Sequence, residues 1–279
     1  MTGSARNRRF SLNARRAWAA AAAIAVVSIV AAIALLIAAP WEGAGPPARP
    51  RAVIVDQLAF TDANPDFAAE ASRQLEAAGY AVDYYPSKAV TVEFYRELPS
   101  RGYRFVLLRS HSTQFIYRRD AATSALRQSE NSVMLFTTEP YSQVAHADEQ
   151  RAGRVAVGSY PDHQAEGQYF LIDPTFVANS MHGQFHNATV VLMGCGGLST
   201  TDMAKAFEKR GAKEFISWDT SVTAAHTDAA ARTLMSHLLG DTPQPNEAIA
   251  KTMAEVGPDP SFGSKLLAYP QPLGAFSAN

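Results

Sequence analysis

The chain has 279 residues, 47% of them hydrophobic, with 25 basic and 26 acidic side chains and a formal net charge of -1. The two signs are interspersed, so there is neither a basic stripe to track a phosphate backbone nor an acidic tail; nucleic acid is not an expected partner. A single cysteine, Cys195, excludes an internal disulfide, so the fold rests on its core and the thiol is either a small buried hydrophobe or free for chemistry.

Residues 1–16 carry Arg6, Arg8, Arg9, Arg15 and Arg16 and precede an uncharged apolar run, 17–39. At 1.5 Å per residue that run is long enough to cross a hydrocarbon core of about 30 Å. The basic cluster on its N-terminal side predicts a signal-anchor in the cell membrane, N-terminus cytoplasmic and the rest extracytoplasmic. A cleaved signal peptide is the competing reading, with small residues at Ala38 and Ala39; its apolar core is usually only about 7 to 15 residues long. Residues 40–50, rich in Pro and Gly, read as a stiff tether.

The remainder, 51–279, reads as one α/β domain. Strands are expected at 52–55, 80–85 and 103–108, with helices at 66–78 (Phe67, Ala71 and Leu75 on one face) and 90–98. Strand and helix in alternation imply a mostly parallel sheet with flanking helices and right-handed crossovers. From about 112 to 186 the pattern loosens, with strand candidates at 132–137, 154–157 and 169–172, and reads as an insertion beside the sheet. A strand at 189–193, a helix at 201–210 ended by Gly211, a strand at 214–217 and a helix at 227–239 resume the regular order.

In open parallel sheets the ligand crevice lies beyond the carboxyl ends of the strands. Two such ends carry chemistry. Phe105-Val106-Leu107-Leu108 leads into Arg109-Ser110-His111-Ser112, and Val190-Val191-Leu192-Met193 leads into Gly194-Cys195-Gly196-Gly197. An imidazole near a thiol supplies the base or the positive neighbour that thiolate formation needs. Glycines beside Cys195 allow close approach of a substrate carbonyl, and the amides of Cys195 and Gly196 are candidates for an oxyanion hole. The bland alternative is a tight turn and a hydrogen-bonded loop histidine. Asp56, at the end of the first strand, is either an orienting partner for His111 or a turn residue.

Trp218 and Asp219 follow another strand end, where an aromatic wall and a carboxylate would favour a basic substrate side chain; the alternative is a core tryptophan and a turn aspartate. His182 and His186 have the spacing of two metal ligands on one helix face, without a third ligand nearby, and are otherwise loop histidines. His226 is a candidate N-terminal cap residue or crevice residue. Asn187-Ala188-Thr189 matches a glycosylation sequon, a short motif with many chance occurrences.

The pattern resembles the caspase-like fold of cysteine peptidases, which includes caspases, gingipains, separases and bacterial CHAT domains. It is most similar to the CHAT and gingipain branch, through Val190 to Gly197, then Met203-Ala204-Lys205-Ala206-Phe207, then Gly211-Ala212-Lys213 and Ile216-Ser217-Trp218. The chain also looks similar to membrane-anchored prokaryotic proteins that share the Gly-Cys-Gly-Gly and Ser-Trp-Asp segments. The resemblance spans about 51–239, loosely in the middle. It implies a caspase-like three-layer sandwich, with His111 as general base or acid and Cys195 as nucleophile. Backbone amides near Cys195 and a glycine after the histidine would hold the oxyanion. Here Ser112 replaces that glycine, and Gly194 stands where an alanine is common.

These readings together lead to the expectation of a membrane-anchored cysteine endopeptidase that cleaves a peptide or protein substrate through a thioester, without cofactor or metal. Ser112, Gly194 and Gly196 would frame the oxyanion, and Trp218 and Asp219 the substrate pocket. A catalytically silent binding module at the membrane surface and a redox-sensing thiol are the alternatives.

Overall fold

The computed structural model describes residues 49–114, 116–119, 126–129, 132–160, 167–240 and 242–270, with the backbone alone for 116–119 and 126–129. The basic N-terminus, the expected anchor at 17–39 and most of the tether lie outside them. No helix among the described residues is long and apolar enough to cross a membrane.

The chain enters through β1 (Arg51–Asp56), in which Ala52, Val53, Ile54 and Val55 are all buried, as a strand covered on both faces requires. Helix α1 (Pro65–Ala77) follows, with Pro65 in its first turn and the Asn64 side-chain oxygen Oδ1 accepting from the Phe67 amide. It leads to β2 (Ala81–Pro86), parallel to β1. The short α2 (Val92–Glu97), capped by Thr91, then leads to β3 (Tyr103–Arg109), which pairs in parallel on the other side of β1. After the middle segment, β10 (Ala188–Leu192), α5 (Asp202–Lys209), β11 (Ala212–Trp218), α6 (Ala224–Leu239), α7 (Pro245–Val256) and β12 (Leu266–Tyr269) complete the domain.

The central sheet has the order β12-β11-β10-β3-β1-β2, parallel throughout except for the antiparallel edge strand β12. Its direction of growth reverses between β1 and β3. Strand alternation sorts the core into two faces. Ile54, Leu107, Val191, Met193, Ile216 and Trp218 pack with side chains of α1, α6 and α7. Val53, Val106, Leu108, Val190, Leu192 and Phe215 pack on the opposite face with α2, α5 and α4 (Pro174–Asn179).

The middle segment is more regular than its sequence. It forms a second, antiparallel sheet from β4 (Ser112–Thr113), β5 (Ile116–Arg119), β6 (Leu126–Ser129), β7 (Met134–Pro140), β8 (Val155–Gly158) and β9 (Tyr169–Ile172), in the order β4-β7-β9-β8-β5-β6, with the short α3 (Ala147–Arg151) before β8. Val133, Leu135, Val155, Phe170 and Ile172 join the core on the α2/α4/α5 face, and Met134, Phe136, Tyr160, Tyr169 and Leu171 form a satellite cluster. Because β4 begins directly after His111 and the Phe136 amide donates to the His111 carbonyl at 3.1 Å, this sheet grows out of the crevice itself.

Candidate active site

β3 and β10 are neighbours in parallel register, Leu108 opposite Leu192. His111 and Cys195 each follow three residues beyond that pair, so both chains leave the sheet at the same edge. Both side chains are half-buried, and both line one cavity of about 770 Å³. Ser112, Thr113, Gln114 and Phe136 form its wall from the β3 exit and β7; Gly158, Ser159 and Gln168 come from the ends of β8 and β9; Gly196, Ser199, Thr220 and Ser221 close it beside the thiol.

Each group is locally constrained. The His111 ring lies against Tyr160 (centroids 5.3 Å apart) and Phe136 (6.0 Å), and its Nε2 is 2.8 Å from the Thr61 hydroxyl. Its backbone is fixed by the fully buried Gln57, whose side-chain oxygen accepts from the His111 amide at 2.8 Å and whose amide donates to the Tyr160 hydroxyl at 2.9 Å. Burial pushes the Tyr160 phenol far above its ordinary range, so it stays neutral and serves as a wall, also donating to the Thr137 carbonyl. The Cys195 Sγ–H points to the Val222 carbonyl at 3.5 Å, and the Ser112 hydroxyl donates to the Cys195 carbonyl at 2.7 Å.

The expected oxyanion groups fare differently. The Gly196 amide is taken by the Thr220 carbonyl at 2.8 Å and is not available to a substrate oxygen. Among the described residues the Cys195 amide has no hydrogen-bond acceptor, which leaves it as the donor beside the thiol. Ser112 lines the cavity, but its hydroxyl ties the histidine loop to the cysteine loop. Gly194 is buried behind the cysteine; a Cβ there would sit 2.2 Å from the Ser110 carbonyl oxygen and 2.6 Å from Ser112 Oγ. Alanine, the residue of the resembled family, does not fit this β3–β10 exit. Gly194→Ala is therefore expected to lower unfolding free energy by about 1–3 kcal/mol in urea titration, through forced displacement of the Ser110 backbone. Gly196, at φ +58°, supplies the left-handed turn that carries the chain past the sulfur.

Trp218 and Asp219 do not line the cavity, so the expected basic-selective pocket is not formed by them. Trp218 is fully buried on the α6/α7 face with its Nε1–H donating to Thr227, and Asp219 Oδ1 accepts from the Lys265 amide at the β11–β12 junction. Asp56 is not the histidine's partner either. It caps the turn after β1 through the Ala59 amide, accepts from Tyr84, and pairs with Arg109 at 2.8 Å. Arg109, 1% exposed, also makes a two-pronged contact with Asp228 (2.6 and 2.9 Å) and donates to the Asp62 carbonyl at 2.9 Å. Burial opposes its charge, but the Asp228 and Asp56 carboxylates outweigh that and hold the guanidinium above its ordinary value.

His182 sits in an irregular segment with its Nδ1 at 2.6 Å from Glu97, so it and His186 share no helix face, and no cluster of three metal-ligating side chains occurs among the described residues. His226 lies in the first turn of α6, its ring 5.5 Å from Trp218 and its Nε2 near the Gly257 carbonyl; Thr223 occupies the cap position.

Compared with family models and with curated proteins, the chain matches none.

Proposed function

We propose that this domain is a caspase-like cysteine hydrolase that cleaves peptide bonds through a thioester on Cys195, held at the membrane by residues 17–39. The observation that carries the proposal is the shared cavity: an imidazole and the chain's single thiol leave adjacent parallel strands at equivalent positions and line the same 770 Å³ space. The mixed α/β architecture and a sheet built out from the histidine loop support the caspase-like reading, although the chain departs from the family pattern at Ser112 and Gly194.

In this chemistry His111 takes the Sγ proton and the thiolate attacks the scissile carbonyl carbon. The carbonyl electron pair moves to oxygen, toward the Cys195 amide. The tetrahedral species then expels the amine, which takes the proton from His111, and leaves an acyl-thioester. Water, giving a proton to His111, attacks the thioester carbonyl and releases acid and thiolate. Asp219 takes no part in these steps: it does not line the cavity, and its Oδ1 accepts from the Lys265 amide.

A second reading, a silent binding module, is favoured by the Cys195 Sγ–H directed at the Val222 carbonyl and by the occupied Gly196 amide. Peptide chloromethyl ketones separate the two. In a hydrolase the Cys195 thiolate is expected to displace chloride from the reagent, forming one S–CH2 adduct that disappears in Cys195→Ala, with the far-ultraviolet circular dichroism unchanged. Unmodified protein after prolonged exposure to a series of such peptides supports the module.

A further inference from the structure

Thr61 has no motif around it, yet its hydroxyl lies 2.8 Å from His111 Nε2 across 50 residues of sequence. Its placement is held at both ends. The Asp56 carboxylate, at the end of β1, caps the single turn Gln57–Phe60 through the Ala59 amide. On the far side the Asp62 amide donates to the Leu58 carbonyl, and the Asp62 carbonyl accepts from the buried Arg109, two residues before the histidine. The neighbouring Phe60 ring packs at 5.5 Å on both Tyr160 and Tyr169. One buried cation thus fixes the strand end that carries His111 and the loop that carries Thr61.

Resting on the hydrolase reading above, we propose that Thr61 is a positioning residue: its hydroxyl oxygen accepts the Nε2 proton of His111, so that proton exchange with the Cys195 sulfur runs through Nδ1. A hydroxyl acceptor holds the neutral ring in the tautomer that bears its proton on Nε2. It also stabilises the imidazolium formed when Nδ1 receives the thiol proton, since hydrogen bonds to charged groups are the stronger kind. The place taken by a carboxylate in Ser-His-Asp arrangements is filled here by a neutral group.

The test uses the full-length protein and iodoacetamide, with adducts counted on the peptide containing Cys195; the thiolate forms the S–C bond and iodide leaves. Thr61→Val, nearly the same shape, is expected to slow alkylation at pH 6.5 by about tenfold and to move the midpoint of the rate–pH curve upward, while Thr61→Ser restores both. Thr61→Ala serves if the valine variant loses its urea transition. A Thr61→Val curve superimposable on wild type, while His111→Ala is slowed, overturns the role of Thr61 and leaves the hydrolase reading standing. A His111→Ala curve superimposable on wild type removes the hydrolase reading and this inference with it.

Discussion

Arg109→Met is expected to lower the unfolding free energy by about 3–5 kcal/mol, the largest stability loss of any single change near the crevice. The guanidinium is 1% exposed and pairs with two carboxylates that are themselves buried, Asp56 and Asp228. Removing it leaves both carboxylates without their cation in a low-dielectric core, a penalty larger than the net worth of the intact pairs. Other donors to the cluster, Tyr84 and Asn64, are neutral and compensate only in part. The triple variant in which Asp56 and Asp228 also become Asn is expected to recover much of the loss, because the stranded charges are gone. Urea titrations of the single and triple variants check this; a single-variant loss under about 1 kcal/mol contradicts it. The same cation holds the Asp62 carbonyl, so the destabilised loop is the one that carries Thr61.

His111→Ala is expected to cut the rate of Cys195 attack on a peptide reagent by about 10²–10⁴, the usual contribution of a positioned general base. The ring makes its own contacts with Phe136, Tyr160 and Thr61, but its backbone is held independently by Gln57 and by the Phe136 amide. The alanine variant therefore keeps the loop in place and loses the imidazole alone. The rate of labelling by a peptide chloromethyl ketone, together with an unfolding free energy unchanged within about 1 kcal/mol in urea titration, separates the chemical loss from a structural one. A fall of less than threefold contradicts a base at this position.

Much of the framework is legible in the residue pattern because buried parallel strands are written as short apolar runs. The strand expected at 103–108 is observed at Tyr103–Arg109, and the helix expected at 66–78 at Pro65–Ala77. Helix α7 and the edge strand β12 lie beyond the expected elements; α7 buries Pro245, Ala248, Ile249 and Thr252 on one face, and β12 is only four residues long. Only three of the six strands of the second sheet are legible in the residue pattern, because strands of two to seven residues between polar loops give little periodic signal.

At the crevice, two residues that follow strand ends, His111 and Cys195, line one cavity, while Trp218, expected by the same rule, does not. Parity explains the difference. Trp218 falls on the face of Ile216, two residues back along β11, and that face packs with α6 and α7 rather than opening to the cavity. Gln57 and Thr61 are not legible in the residue pattern, because a neutral amide and a hydroxyl in a turn carry no spacing motif. Their partners lie 54 and 50 residues away, so only the fold brings them together.

The one-cysteine composition makes a direct measurement possible: the iodoacetamide alkylation rate of Cys195 at pH 6.5, in the native chain and in the same chain unfolded in urea. An ordinary thiol is only about 1% thiolate at that pH. A native rate at least tenfold above the unfolded rate, abolished by His111→Ala, is expected of an imidazole-activated nucleophile. A native rate equal to or below the unfolded one contradicts it.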